Sequence, residues 1–309
     1  MGASPGTGRN AVVLSSEVAR ALGSGNAVVA LESAVITHGL PYPRNLDVAL
    51  EMQRSVAATG SIAATIAVIE GEIRIGLTDA EIMALAESKA ARKLGVRDLA
   101  GATIQQASGG TTVAATMFAA RQAGISVFAT GGIGGIHKES AYDISADLPT
   151  LAKSRMIVVC AGAKAILDLA ATLEALESLS VPVLGYGTNE FPAFYSRESG
   201  LRTSMRVDSV STVAQYWARH CALGMESAVL VANPIPGPAA IPASALAEWI
   251  EQASAEAKEQ KVRGQELSPF LLRRIGEISG GRTIAANAAL LTNNARLAGE
   301  IAAAVMVHH

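Results

Sequence analysis

A chain of 309 residues with 25 basic and 27 acidic side chains has a formal net charge of −2 and lacks the basic excess of a polyanion-binding surface, although one local phosphate pocket is compatible with it. Hydrophobic residues make up 50% of the chain and aromatics 4%, so the core must be built from Ala, Val, Leu and Ile, and wholesale disorder is disfavoured. Cys160 and Cys221 are too few for a disulfide framework, and the short, interrupted apolar runs resemble neither a signal peptide nor a membrane span, which points to a soluble cytoplasmic protein.

Met1–Asn10 is small, polar and glycine-rich and is expected to be mobile, leaving residues 11–307 as a single α/β domain. The closing His308-His309 pair reads as a tag remnant and is set aside from metal reasoning. Ala27–Leu31 reads as a buried strand and Asp47–Ala58 as a helix closed by Gly60. Ala64–Ile69 and Glu72–Ile75 flank Glu70-Gly71, a hairpin turn pair. Thr78-Asp79-Ala80-Glu81 has capping-box spacing, in which the threonine oxygen and the glutamate carboxylate each reach an end amide; the helix it opens is expected to run to about Arg92.

Further on, Ser108–Thr112 precedes a helix over Val113–Ala123, and Ile125–Thr130 is a strand running into Gly131–Gly135. Met156–Cys160 is another strand, followed by Ala161-Gly162-Ala163-Lys164 and a helix. Val181–Tyr186 and Ala228–Ala232 read as strands, and long helical patterns cover Ala243–Gln260 and Thr283–Val305. Repeated strand, glycine turn and helix units imply an α/β fold with a mostly parallel or mixed central sheet, covered by helices on both faces. Ligands in such folds sit beyond the carboxyl ends of the strands, which places the site at the glycine-rich turns of the middle third.

Several residues at these turns admit both a chemical and a structural reading. Gly131–Gly135 has neither the ending of a phosphate-binding loop nor dinucleotide spacing; it is a tight turn using positive φ, or backbone lying close to a ligand. Ser108–Thr112 can cradle a phosphate at a helix N-terminus, or simply cap that helix. Lys164 follows a buried strand on a small-residue turn. It is a solvated helix-start lysine, or an amine freed for carbonyl chemistry by dry surroundings that disfavour ammonium. Glu32 ends a buried strand as a cap or as a general acid–base. Asp143 and Asp147 flank Ser145 as caps or as ligands for a hard cation such as Mg²⁺ or Mn²⁺.

The fragments become specific when taken in order. Ala30-Leu31-Glu32-Ser33 continues through Ile36-Thr37-His38-Gly39-Leu40-Pro41-Tyr42-Pro43, then come Gly109–Thr112 and Phe128–His137. Asp143-Ile144-Ser145-Ala146-Asp147-Leu148, Val159–Lys164 and Asn293–Ala298 follow. Over nearly the whole span from Val28 to about Ala304, this order resembles the pseudouridine-5′-phosphate glycosidase family, which includes the indigoidine synthase A-like proteins.

The resemblance implies a three-layer α/β/α subunit, assembly as a homotrimer, and one divalent cation per subunit, usually Mn²⁺. By position, Lys164 matches the imine-forming lysine, Glu32 the proton-transferring glutamate and Asp143 the metal-binding aspartate. Ser145, Ala146 and Asp147 match a substrate-contacting run; Lys93, near the phosphate, Val113 and Asn287 match further contacts, and Thr112, Thr130 and His137 are counted with them. The chain departs from the family around Gly95-Val96-Arg97-Asp98, where a Ser-Arg pair is usual, and in a shorter Lys138–Tyr142 loop.

The activity so implied is reversible cleavage of the carbon–carbon glycosidic bond of pseudouridine 5′-phosphate to uracil and ribose 5-phosphate, through a lysine imine on the opened sugar. No nucleic acid polymer and no membrane is an expected partner. The competing readings are a lysine-imine aldolase acting on another sugar phosphate and a non-catalytic accessory of pigment biosynthesis.

Overall fold

The computed structural model describes residues 12–138, 143–262 and 267–307. The expected mobile segment Met1–Asn10, the His308-His309 pair and, apart from Lys138, the shortened Lys138–Tyr142 loop lie outside the described residues.

Strand β1 (Val12–Leu14) and helix α1 (Ser16–Gly23) lead into β2 (Val28–Leu31), a π-helical turn (Val35–Gly39), α2 (Arg44–Ala57), β3 (Ile62–Ile69), β4 (Glu72–Ile75) and α3 (Asp79–Glu87). Then come β5 (Arg92–Leu94), α4 (Leu99–Ile104), β6 (Gly109–Thr111), α5 (Val113–Gln122), β7 (Val127–Ala129), β8 (Ile136–His137), α6 (Asp147–Leu151) and β9 (Ile157–Cys160). The remainder holds β10 (Leu167–Asp168), α7 (Leu169–Ser178), β11 (Val183–Tyr186), β12 (Met205–Val207), α8 (Val210–Ala222), β13 (Val229–Ala232), α9 (Ala243–Glu259), α10 (Leu267–Ile278) and α11 (Arg282–Val307).

Among the described residues, 11 strands form one sheet on the path β1-β4-β3-β2-β7-β9-β13-β11-β12, with β6 added to β3 and β5 to β6. From β3 to β12 every neighbouring pair on this path is parallel. Strands β4 and β6 run antiparallel to β3. Two crossovers, β7-α6-β9 and β9-α7-β11, step one way along the path; β2-α2-β3 and β12-α8-β13 step the other way. Right-handed crossovers therefore place α6 and α7 on one face and α2 and α8 on the other. Helix α11 packs on both α2 and α8 and lies over β2, β7 and β9, while α5 packs on α6, which completes the three α/β/α layers.

Cover on both faces explains why β2, β9 and β13 are buried at every position and read as unbroken apolar runs. The core is assembled from small and branched aliphatics as composition required, with each fully buried Leu or Ile contributing about 1.5–3 kcal/mol. The Glu70-Gly71 hairpin forms with Ile69 opposite Glu72, and both turn residues take positive φ (49° and 81°), as a primed turn demands. At Thr78 both arms of the capping box close.

Two expected boundaries are corrected. Helix α3 stops at Glu87, because Ser88 turns to an extended conformation, and Arg92–Leu94 is a strand that pairs with β6. After Lys164 the chain first forms β10, paired with β8, and only then enters α7, capped by Asp168.

Candidate active site

Four parallel strands that are neighbours in the sheet, β2, β7, β9 and β13, deliver the site residues at their carboxyl ends. Glu32 is the first residue beyond β2 and Thr130 the first beyond β7; both are buried. The Thr130 hydroxyl donates to the Glu32 carboxylate. The loops leaving β7 and β9 then zip together. The Ala161 amide donates to the Gly131 carbonyl (2.8 Å), that of Ile133 to Gly162 (3.1 Å) and that of Lys164 to Ile133 (3.0 Å). This backbone ladder fixes Lys164 above the sheet, half-buried between buried Ala163 and Ala165.

Lys93 arrives by a relay of registers. It pairs with Gly110 on β6, Gly110 with Ala67 on β3, and β3 with β2, so a residue on an added edge reaches the level of Glu32. Ser33 and Thr111 lock that relay. Ser33 Oγ donates to the Ile66 carbonyl (2.5 Å) and accepts from the Thr111 amide (2.9 Å), while Thr111 Oγ1 donates to the same carbonyl (2.7 Å).

Asp147 opens α6 and uses both carboxylate oxygens on backbone. Oδ1 accepts from the Ala114 amide in the first turn of α5 (3.0 Å), and Oδ2 accepts from the Gly134 amide (2.7 Å). Its own amide donates to Ser145 Oγ (3.2 Å). Asp147 thus ties the start of α5 to the glycine-rich loop. That loop is not built on positive φ: none of Gly131–Gly135 adopts it. The glycines serve close approach instead. A Cβ on Gly132 would strike the Phe194 ring at 2.6 Å, and one on Gly134 would run into Ser145 and Asp147 Oδ2 (2.8 Å).

The charges of Glu32, Lys93, Asp147 and Lys164 act on one another. Burial pushes the Glu32 carboxyl above its ordinary 4.5; Lys164 and then the Thr130 hydrogen bond pull it back, Asp147 adds to the rise, and Lys93 opposes it. Lys93 keeps solvent contact along its side chain, yet partial desolvation, followed by repulsion from Lys164, lowers its ammonium pKa. His38, exposed on the π-helical turn, is lowered by desolvation and by Lys93. The Cys160 thiol is buried and pushed up to about 12, which removes it as a nucleophile.

The other expected residues are placed as follows. Thr112 caps α5 by accepting from the Ala115 amide (3.4 Å), and Val113 is buried as the first residue of that helix. Ser145 is half-buried and Ala146 exposed just ahead of α6. Asn287 lies half-buried on α11, and its side chain makes no hydrogen bond among the described residues. His137 is engaged elsewhere: its Nε2 lies 3.2 Å from Ser268 Oγ on α10.

Asp143 is half-buried at the edge of this loop, and its carbonyl accepts from the His137 amide (3.1 Å). Among the described residues no three His, Cys, Asp or Glu side chains converge on a cation position. A lone carboxylate fits a Mg²⁺- or Mn²⁺-like ion that keeps most of its water, and it fits no closed protein cage.

Sequence reasoning passed over two buried amides. Asn294 on α11 donates to the Thr130 carbonyl (2.8 Å) and accepts from Asn233 Nδ2 (3.0 Å), one residue beyond β13. The available signal was a polar residue within the apolar stripe of a long helix, which demands a partner. A cavity of about 670 Å³ lies at the opposite end of the sheet, at the amino ends of β11 and β12 beside Val181–Val183 and Ser204.

A buried carboxylate and a half-buried lysine thus stand together at the carboxyl ends of a parallel sheet in a three-layer α/β/α fold, with a second lysine alongside. The family described as "Indigoidine synthase A like protein" matches residues 17–304, and the chain belongs to it. The chain is 50% identical over 296 residues to a pseudouridine-5′-phosphate glycosidase of Jannaschia sp., covering 95% of this chain and 98% of that one. It is 49% identical over 278 residues to the enzyme of the same name from Kosmotoga olearia, covering 90% and 96%. Among solved structures, the prealnumycin C-glycosynthase AlnA in complex with ribulose 5-phosphate superposes with a TM-score of 0.89 at 36% identity, covering 97% of this chain and 98% of that one. An indigoidine synthase A-like protein from Thermotoga maritima gives 0.89 at 35% identity, covering 98% and 100%. No helix among the described residues is long and apolar enough to cross a membrane.

Proposed function

We propose that this chain is a pseudouridine-5′-phosphate glycosidase that reversibly cleaves the C–C glycosidic bond to uracil and ribose 5-phosphate. The observation that carries the reading is buried Glu32 held within charge range of Lys164, at the carboxyl ends of strands separated only by β7. A C–C glycosidic bond has no leaving heteroatom to protonate, so the reaction needs an electron sink. Glu32, whose carboxyl pKa is raised by burial, is suited to hold and deliver a proton. It delivers one to the ring oxygen as the C1′–O4′ bond opens, with the uracil ring supplying the electrons.

Nζ of Lys164 then adds to C1′. Protonation at uracil C5 lets the C1′–C5 bond break as the nitrogen lone pair closes to an iminium. Water adds to that iminium and releases ribose 5-phosphate and the free amine. Asp147 supports these steps by binding sugar hydroxyls or acting as a second acid–base. Lys93 holds the phosphate, and Thr112 and Val113 add substrate contacts beside it. Asn287, Ser145 and Ala146 complete the substrate contacts.

A divalent cation, Mn²⁺ or Mg²⁺, would be held by Asp143 with water, and would supply charge neutralisation for bound phosphate or hydroxyls. The same reading includes a homotrimer in the cytoplasm, where the free thiols Cys160 and Cys221 would stay reduced. Supplying pseudouridine 5′-phosphate with Mn²⁺ should release free uracil. Release of no uracil, with aldol cleavage of another sugar phosphate, would instead identify the aldolase-type alternative.

A further inference from the structure

We infer that Thr130 is a positioning residue for Glu32, held in place by the Asn294–Asn233 amide pair, and that it does not bind substrate. The inference rests on Glu32 being the proton-transferring group of the proposed reaction.

Thr130 has no exposed surface, so its hydroxyl is not presented to a ligand. Its backbone completes the sheet ladder by donating to the Val159 carbonyl (3.0 Å). Its carbonyl has passed the end of β7 and would be a buried acceptor without a partner. Asn294 Nδ2 fills that need at 2.8 Å and also approaches the Gly131 carbonyl at 3.4 Å. Asn294 is fully buried, and its own oxygen accepts from Asn233 Nδ2, whose amide donates to the Cys160 carbonyl (2.8 Å).

Three adjacent strand ends, β7, β9 and β13, are thereby clamped to α11. The clamp fixes the backbone at Thr130 and therefore the direction of its hydroxyl. That hydroxyl donates to the Glu32 carboxylate. A donor aimed at a buried carboxylate stabilises the ionised form, in the same direction as Lys164 and Lys93 and against burial and Asp147. The hydroxyl thus offsets part of the rise that burial imposes on Glu32 and fixes a partner for its carboxylate.

Thr130→Val preserves shape and removes the donor, whereas Thr130→Ser preserves the donor. Glutamate labelled at the carboxyl carbon would be titrated by ¹³C NMR in the intact enzyme, with the Glu32 resonance assigned by its loss in Glu32→Gln. The Glu32 titration should move to higher pH in Thr130→Val and return in Thr130→Ser. In turnover assays, the alkaline limb of kcat should move the same way, since Glu32 donates from its protonated form, with KM little changed. Should the valine variant prove too unstable to assay, Thr130→Ala against Thr130→Ser makes the same comparison. An unmoved Glu32 titration in the donor-less variant, or a serine variant as far shifted as the valine one, would overturn the inference. So would a rise in KM with kcat intact, the mark of a substrate contact. A wild-type enzyme that releases no uracil but keeps the Thr130-dependent titration would count against the proposed reaction alone.

Discussion

Asp147→Asn is the most informative single-atom change in the site. The side chain is buried, and each carboxylate oxygen accepts one backbone amide, from Ala114 at 3.0 Å and Gly134 at 2.7 Å. Asparagine can present only one oxygen, so its NH₂ group must face the other amide. One charge-assisted hydrogen bond is lost and one buried N–H is left without an acceptor, a combined cost of about 3 kcal/mol. Over 309 residues, an unfolding entropy of about 2.1 cal/mol/K per residue converts that to a fall in Tm of ~5 °C. Asp147→Ala, which leaves both amides unpaired, should fall further. Scanning calorimetry at matched pH and protein concentration is the assay. An asparagine variant with an unchanged Tm would refute the tether between α5 and the glycine-rich loop.

Because burial raises the Glu32 pKa, the group favours the folded state below its ordinary 4.5, and that contribution is lost as pH rises through the folded value. Glu32→Gln should therefore be more stable than the wild type at neutral pH and gain nothing at acid pH, while losing about 10²-fold or more in kcat; a pH series of Tm and kcat checks both. Lys93→Ala should raise KM for the phosphorylated substrate about tenfold or more with a smaller change in kcat, which steady-state kinetics resolves. Thr78→Ala breaks the capping box of α3 and should cost about 1 kcal/mol by denaturant titration without affecting kcat. Chelation should abolish activity that Mn²⁺ restores, yet leave Tm almost unchanged, since Asp143 alone among the described residues is assigned to the ion.

The elements that were legible from residues alone are those with a strong local cause. Ala27–Leu31, Met156–Cys160 and Ala228–Ala232 are buried on both faces and so carry no polar alternation to confuse them. The Glu70-Gly71 turn and the Thr78 capping box are encoded within four residues each. Strand β5 was not legible, because two of its three side chains, Arg92 and Lys93, are exposed and the helical pattern of α3 runs on into it.

At Gly131–Gly135 the expected positive φ is absent, and glycine is required by Phe194, Ser145 and Asp147, which arrive from elsewhere in the chain. Glu32, Asp147 and Lys164 stand within the ordered motifs and Lys93 was matched by position through the resemblance; the fold brings the four within charge range. The support behind them was out of reach. Asn233 and Asn294 are 61 residues apart and acquire meaning only when β13 and α11 meet. The partner of His137, Ser268 on α10, is likewise 131 residues away and comes into reach only in the fold.

The central claim is that Lys164 carries the sugar during C–C bond cleavage. Borohydride added while the enzyme turns over pseudouridine 5′-phosphate with Mn²⁺ should reduce the iminium and leave a ribose phosphate adduct, located by peptide mass spectrometry on Lys164. Uracil release with no adduct on Lys164, accompanied by full activity in Lys164→Ala, would contradict it.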